Sequence, residues 1–289
     1  MASRTEYTTA SAPQREVALL LPGMTLNGSI FPALPIDTMS VDFTALDTPQ
    51  TDGMRGYVRL LRNALNREGF WESSRRYVVA HSFGGMLTLS WLTEHTDELE
   101  KIDGLIFIGT TAGPMLDRAR LRIVGLGSKA LRVPVGPLLA AWDLPLITRC
   151  MKALTTASLQ ARPVDFQRLP FKSDFWVDLA GWRNTHWQAM RSYRAAMRGF
   201  DVRSRLGGVD IPTIVLHGPR DSFFTHDVAH DLADGMPNAE LRMVTGAAHL
   251  LPLTHGGEVV RALDDLRSRR LGKGKSKKGK GFSSRRTAT

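Results

Sequence analysis

The chain has 289 residues, of which 43% are hydrophobic, and a formal net charge of +10 at pH 7. This length suffices for one large α/β domain or two small ones. The single cysteine, Cys150, excludes an internal disulfide framework and a cysteine-rich zinc site.

The N-terminal segment carries no targeting signal that we can identify. Residues 1–6 lack the apolar core of a signal peptide. No stretch of the sequence approaches the roughly 18 consecutive apolar residues of a transmembrane helix. We therefore expect a cytoplasmic protein.

The positive charge is concentrated at the C-terminus. Residues 267–289 hold ten lysines and arginines and no acidic residue, which leaves 28 basic against 28 acidic residues in positions 1–266. A segment so rich in Gly, Lys and Ser cannot bury a core, so we expect residues 271–289 to form a disordered basic tail. The tail is either solubilising or a weak electrostatic contact to nucleic acid or an anionic membrane.

Short aliphatic and β-branched runs indicate strands along the chain. In order they are Glu16–Leu21, Val41–Leu46, Arg76–His81, Gly104–Gly109, Thr213–His217 and Leu241–Val244. Helical patterns occur at Gly56–Asn66, Gly84–His95, Asp227–Met236 and Glu258–Arg269. Strands alternating with helices predict an α/β fold with a mostly parallel, doubly wound sheet, formed by residues 16–111 and 207–270 after a flexible lead-in at 1–15.

Residues 112–206 interrupt this alternation. They contain no convincing strand and carry four of the six tryptophans, namely Trp142, Trp176, Trp182 and Trp187. We interpret them as a helical insert between two strands. An apolar insert over the carboxyl edge of the sheet would form a lid, because ligand sites of open α/β sheets lie at that edge.

The most informative segment is Ala80-His81-Ser82-Phe83-Gly84, which follows a strand and begins a helix. Small-x-Ser-x-Gly in this setting is typical of a nucleophile elbow. The turn brings the strand and helix backbones so close that the positions two before and two after the serine must be small. Ala80 and Gly84 satisfy this requirement, and Ser82 would project from the sheet.

With this elbow, the sequence resembles the serine hydrolases of the α/β-hydrolase superfamily, of the esterase- and lipase-like kind with an inserted helical cap. The resemblance implies that an acid follows a later strand and that a histidine lies near the C-terminus. Asp221 follows the strand Thr213–His217, and His249 follows a strand and a loop of small residues. Ser82 would then be the nucleophile, His249 its general base and Asp221 the acid that orients the imidazole.

Each of these assignments has a competitor. His255 lies six residues after His249 and is the rival base, while Asp227 and Asp231 lie in a predicted helix and compete with Asp221. His81 flanks the nucleophile, but we expect it to point away on the pleat of the strand.

The resemblance also implies an oxyanion hole made of two backbone N–H groups, those of Phe83 and Met24. Many relatives have His-Gly before the second of these positions, whereas this chain has Pro22-Gly23. Few residues precede the first strand, so the antiparallel hairpin that usually opens the fold should be truncated. We expect about six strands.

A serine nucleophile implies acyl transfer through an acyl-enzyme, and disfavours the aspartate-based dehalogenase and epoxide-hydrolase chemistries of the superfamily. The favoured activity is hydrolysis of a small-molecule carboxylic ester with a hydrophobic acyl group. Thioesterase, acyltransferase, lactonase or carbon–carbon bond hydrolase activity would use the same residues. No cofactor, metal or obligate protein partner is predicted. The alternative of another class is a non-catalytic binding or tethering protein that uses its basic tail.

Overall fold

The structure is a computed structural model, and it describes residues 15–24, 26–41, 43, 52–114, 120–124, 130–134, 187–221 and 223–276. The strands in these ranges are β1 (Glu16–Leu21), β2 (Asp37–Ser40), β3 (Arg75–His81), β4 (Gly104–Ile108), β5 (Arg120–Val124), β6 (Ala130–Pro134), β7 (Thr213–His217) and β8 (Ala239–Met243). Six of them form one sheet in the order β2-β1-β3-β4-β7-β8, and every neighbouring pair is parallel. The predicted six-stranded parallel sheet is confirmed.

The helices that connect these strands cover both faces of the sheet. They are α1 (Met54–Arg67), α2 (Phe83–Glu94), α3 (Trp187–Met197), α4 (His226–Gly235), α5 (Leu251–Thr254) and α6 (Gly256–Ser276). In α1, buried residues recur with helical spacing at Tyr57, Val58, Leu61 and Leu65. By contrast, α2 is buried from Phe83 to Leu92, which places it deep between the sheet and α1.

The core consists of two clusters separated by the sheet. On one face, Leu19 and Val78 pack with residues of α1, α2, α3 and α4. On the other face, Leu20 and Val79 pack with residues of α6. Because both faces are covered, β1 reads as an almost continuous apolar run rather than as an alternation.

Two details differ from the sequence-based expectations. The second strand lies at Asp37–Ser40, so the prediction at Val41–Leu46 is wrong. Val41 and Phe43 are buried, but they follow the strand, whereas the strand itself is a mostly exposed edge with a polar sequence. The apolar run therefore indicated burial, and it did not indicate the strand.

The second difference concerns the insert. It was expected to have no strand, yet β5 and β6 form an antiparallel hairpin within it. The tryptophans at 142, 176 and 182 lie outside the described residues. Residues near its C-terminal end, including Tyr193, Phe200 and Leu206, pack into the main core. Where the insert begins and ends as a unit stays a prediction.

The parallel arrangement decides where a site can form. The carboxyl ends of β3, β4 and β7 lie side by side, since His81 pairs with Ile108 and Ile108 with Leu216. The loops that follow these strands therefore meet at one edge of the sheet, where ligand sites of such folds occur. Within the described residues, no helix is long and apolar enough to span a membrane.

Candidate active site

Ser82 occupies a strained turn between β3 and α2. Its backbone has φ 52° and ψ −117°, and it is the only residue other than glycine with positive φ in the described part of the chain. Such a conformation costs on the order of 1–3 kcal/mol and persists only where the surroundings enforce it. Here the Ser82 N–H donates to the Ile108 carbonyl at 3.0 Å, and the Thr110 hydroxyl donates to the Ser82 carbonyl at 2.7 Å.

The turn also depends on a glycine after the serine. A Cβ on Gly84 would lie 2.1 Å from the carbonyl oxygen of Leu21, at the end of β1. No side chain can be accommodated at that distance. The small residue that the elbow motif requires is therefore dictated by the contact between the start of α2 and the end of β1.

Ser82, His249 and Asp221 form a continuous chain of hydrogen bonds. His249 Nδ1 lies 2.9 Å from Asp221 Oδ2, and His249 Nε2 lies 3.1 Å from Ser82 Oγ. A carboxylate can only accept, so Nδ1 carries the proton and Nε2 is left as the acceptor for the serine hydroxyl. This arrangement suits a base that removes the hydroxyl proton during nucleophilic attack.

Asp221 is buried, with 1% of its side chain exposed. Its Oδ1 accepts hydrogen bonds from the backbone N–H groups of Phe223 at 2.8 Å and Phe224 at 3.0 Å. Burial raises the pKa of this carboxyl, but the nearby His249, His217 and backbone donors outweigh that effect and leave its pKa below the usual value. Asp221 is therefore held as a carboxylate, the form that orients an imidazole.

The loop after β1 lies directly against the serine. A Cβ on Gly23 would come within 3.2 Å of Ser82 Cβ. Met24, the next residue, is partly buried against the core, and Phe83 follows Ser82 as the first residue of α2. The two residues predicted to supply oxyanion N–H groups thus lie in the segments that flank Ser82.

The competing residues lie elsewhere. His255 Nδ1 pairs with the Thr254 hydroxyl at 2.8 Å, whereas the ring of His249 reaches Ser82. Asp227 and Asp231 are exposed on α4, as expected for its solvated face.

Sequence reasoning did not assign a role in the site to His81, which it set aside as a base, nor to His217 or Phe223. His81 is fully buried, and its ring centroid lies 4.8 Å from that of His249. His217 is 1% exposed at the end of β7, and burial lowers its pKa. The Phe223 ring packs against His249 at 4.6 Å. A buried histidine at the carboxyl end of a parallel strand was the available signal for both His81 and His217.

No group of three or more His, Cys, Asp or Glu side chains within the described ranges is arranged to hold a metal ion. A cleft of about 430 Å³ lies between the start of α1, the end of α2 and the segment after α3, with Arg55, Glu94 and Arg205 among its lining residues. It includes none of the residues around Ser82.

Comparisons with known proteins identify the fold. A family model described as alpha/beta hydrolase fold matches residues 52–256. Solved structures with the same fold include a thermophilic esterase from Thermogutta terrifontis (16% identity, TM-score 0.59, 93% of this chain and 99% of that chain covered). They also include Est816, an N-acyl homoserine lactone degrading enzyme (17%, 0.62, 86% and 92%). A third is 2-hydroxy-6-oxo-6-phenylhexa-2,4-dienoate hydrolase from Rhodococcus sp. strain RHA1 (16%, 0.61, 89% and 92%).

A curated relative, polyketide synthase ThaQ from Burkholderia thailandensis, is 38% identical over 64 residues. The matched segment is 22% of this chain and 3% of that protein. At these identities the solved structures establish the fold, and they leave the substrate open.

Proposed function

This chain belongs to the alpha/beta hydrolase fold family, and on that basis we propose that it is a serine hydrolase that cleaves a carboxylic ester through an acyl-enzyme. The observation that carries the proposal is the hydrogen-bonded chain from Asp221 through His249 to Ser82, with distances of 2.9 and 3.1 Å. The strained backbone of Ser82 supports it, because strain of this kind is maintained at functional sites.

In the proposed mechanism, Ser82 Oγ attacks the ester carbonyl while His249 Nε2 takes the hydroxyl proton. Asp221 stabilises the imidazolium without taking the proton itself. The N–H groups of Phe83 and Met24 bind the oxyanion of the tetrahedral intermediate. His249 then protonates the leaving alkoxide, and the acyl group stays on Ser82 until a water molecule, activated by the same imidazole, releases the acid.

We propose a hydrophobic acyl group as the substrate feature that the site recognises. An apolar ring packs on the proposed base, since Phe223 contacts His249, and Met24 lies in the loop next to Gly23, which approaches Ser82. The insert, which we expect to cover this edge, is also rich in tryptophan. Polar acyl groups would gain little from such surroundings.

A fluorophosphonate probe tests the serine assignment directly. We expect covalent labelling of the folded protein, loss of labelling in Ser82→Ala, and unchanged labelling in Ser268→Ala, whose serine is exposed on α6. Absence of labelling in the folded wild-type chain would reject the hydrolase and favour a non-catalytic binding protein.

Substrate class is tested by measuring kcat/KM for esters of increasing acyl-chain length, for the matching thioesters, and for lactones. We expect kcat/KM to rise with acyl length in the ester series. A flat profile contradicts the hydrophobic acyl group. Faster turnover of thioesters or lactones would assign the same residues to a thioesterase, acyltransferase or lactonase. If all of these are inert while Ser82 is still labelled, carbon–carbon bond hydrolysis becomes the leading activity.

A second proposed activity concerns the basic tail, because the seven positive charges of residues 271–289, without an acid, favour contact with a polyanion. Arg267 of α6 contacts Glu16, the first residue of β1, so this end of α6 lies at the sheet edge opposite Ser82. We therefore expect truncation after Arg270 to abolish low-salt retention on DNA or anionic vesicles and to leave ester turnover unchanged. Equal retention of both chains would eliminate this contact.

A further inference from the structure

His81 lies next to the proposed nucleophile, yet the mechanism above does not use it. The side chain is fully buried on the face of the sheet that packs against α6. Its Nε2 lies 2.9 Å from the backbone carbonyl oxygen of His249. A buried imidazole thus joins the last residue of β3 to the loop that carries the proposed general base.

The contact fixes the tautomer of His81. A carbonyl oxygen can only accept, so Nε2 carries the proton and its N–H donates a hydrogen bond to the backbone carbonyl of His249. Nδ1 is then a buried acceptor without a hydrogen-bond partner among the described residues. It faces the loop after β1, where a Cβ on Gly23 would come within 2.9 Å of it. Leaving a buried acceptor unpaired is unfavourable, so a purely structural role would be served better by an apolar side chain.

His81 therefore connects three segments of the proposed site. Its backbone leads into Ser82, its Nε2–H binds the His249 backbone, and its ring packs against Gly23 beside Met24. The His249 ring can approach Ser82 only if the His249 backbone stays in place. Burial lowers the pKa of His81 to about 3, so the ring keeps the same single proton throughout the range in which His249 must act.

We propose that His81 is a positioning residue, which holds the backbone of His249 so that its imidazole stays within hydrogen-bonding distance of Ser82. The proposal rests on the serine hydrolase function proposed above. It concerns the geometry of the base, not a proton transfer by His81 itself. Small displacements of a catalytic group lower the rate of the chemical step more than they weaken substrate binding.

The test compares two substitutions of similar size. His81→Leu removes the donor, and His81→Gln keeps an N–H at about the same reach. We expect His81→Leu to lower kcat for an activated short-chain ester by about 10- to 100-fold with little change in KM. His81→Gln should recover most of that loss. A folded His81→Leu variant with wild-type kcat, or a His81→Gln variant as slow as His81→Leu, would overturn the proposal.

Thr213→Val serves as the matched control. Its hydroxyl is fully buried and donates to the Ile211 carbonyl at 2.8 Å, at the opposite end of β7 from the site. The control removes the same kind of bond, from a buried side chain to a backbone carbonyl. We expect it to lower the free energy of unfolding without lowering kcat. If kcat falls by a similar factor in Thr213→Val and His81→Leu, the loss in His81→Leu comes from reduced stability and the positioning role is rejected.

A spectroscopic measurement separates this proposal from the proposed function. The proton on His249 Nδ1, bonded to Asp221, should give a low-field NMR resonance whether or not the protein hydrolyses esters. We expect this resonance in the wild type and His81→Gln, and its loss or broadening in His81→Leu. If the resonance follows that pattern while the wild type is not labelled by fluorophosphonate, the hydrolase proposal fails and the positioning role stands. If His81→Leu keeps a wild-type resonance, the positioning role fails.

Discussion

The two edges of the sheet are both rich in polar side chains, but they use them in opposite ways. At the edge where the strands begin, Glu16 accepts hydrogen bonds from Arg75 at 3.0 Å and from Arg267 at 2.8 Å. Nearby, the Asp103 carboxylate accepts from the backbone N–H of Arg76. Each charge there has a partner of opposite charge or a backbone group.

At the edge where the strands end, two buried imidazoles have nitrogens without a hydrogen-bond partner among the described residues. His81 Nδ1 and both ring nitrogens of His217 make no hydrogen bond of ordinary geometry to the described residues, and Ser82 has a strained backbone. A chain selected only for stability would not retain these features. We infer that the edge where the strands begin contributes mainly to stability, and that the edge where the strands end contributes mainly to chemistry. Substitutions at the two edges should therefore affect different measurements.

The largest effect should come from removing the base. We expect His249→Ala to lower kcat/KM for an activated ester by about a million-fold, because the serine then has no proton acceptor. His255→Ala should keep near-normal turnover, since its ring nitrogen contacts Thr254 instead. The measurement is steady-state hydrolysis by both folded variants. The reverse result would transfer the role of base to His255.

The next largest loss, smaller than that of His249→Ala, should follow from Asp221→Asn. The amide can donate to Nδ1, which would leave Nε2 protonated and unable to accept the proton of Ser82. We expect a folded protein whose kcat is lower by about ten-thousand-fold. Circular dichroism and ester turnover measured on one preparation distinguish this outcome from unfolding. Near-normal activity would reject Asp221 as the orienting acid.

The sequence predicted much of this edge because local rules constrain it. The elbow needs small residues at Ala80 and Gly84, and the contact of Gly84 with Leu21 shows why. Asp221 and His249 could be placed because each follows a strand in the order that the superfamily resemblance implies. Their predicted roles rest on that resemblance and on hydrogen-bonding geometry.

Features that depend on packing between distant segments were not predictable. The contact of His81 with His249 joins residues 168 positions apart, and no local pattern encodes it. The position of β2 was missed for a related reason. Val41 and Phe43 are buried by the core outside the strand, while the edge strand Asp37–Ser40 needs few apolar residues. Hydrophobicity reported the burial of Val41 and Phe43, but only the tertiary arrangement determines where the edge strand lies and what the buried His81 contacts.

The pH dependence of stability should also distinguish the two edges. The unfolded chain protonates His81 near pH 6.5, whereas the folded chain does so only near pH 3. Because the unfolded state binds the extra proton, stability falls as the pH falls through this range, by at most about 1.4 kcal/mol per pH unit from this group. The lowered pKa of His217 acts in the same direction.

We expect His81→Gln to reduce the slope of unfolding free energy against pH between pH 6 and 4, measured by urea denaturation. Thr213→Val, at the opposite edge, should leave that slope unchanged, because it removes a buried hydroxyl and no titratable group. A slope that is the same in wild type and His81→Gln would mean that the buried imidazole is protonated in the folded protein.

The smallest effect on activity should come from Glu16→Gln. Glu16 is 15% exposed and bonded to two arginines, so the substitution removes this carboxylate from both guanidinium groups and leaves Arg267 its exposed pair with Asp264. We expect the free energy of unfolding to fall by about 1–3 kcal/mol, more than for Asp37→Asn at the same edge, where the pair is more than half exposed. Glu16 lies at the end of β1 that is remote from the site. The kcat/KM of the folded variant should therefore match that of the wild type. A fall in kcat/KM at a temperature where the variant is fully folded would show that the edge where the strands begin also supports the chemistry, and the division of roles between the two edges would fail.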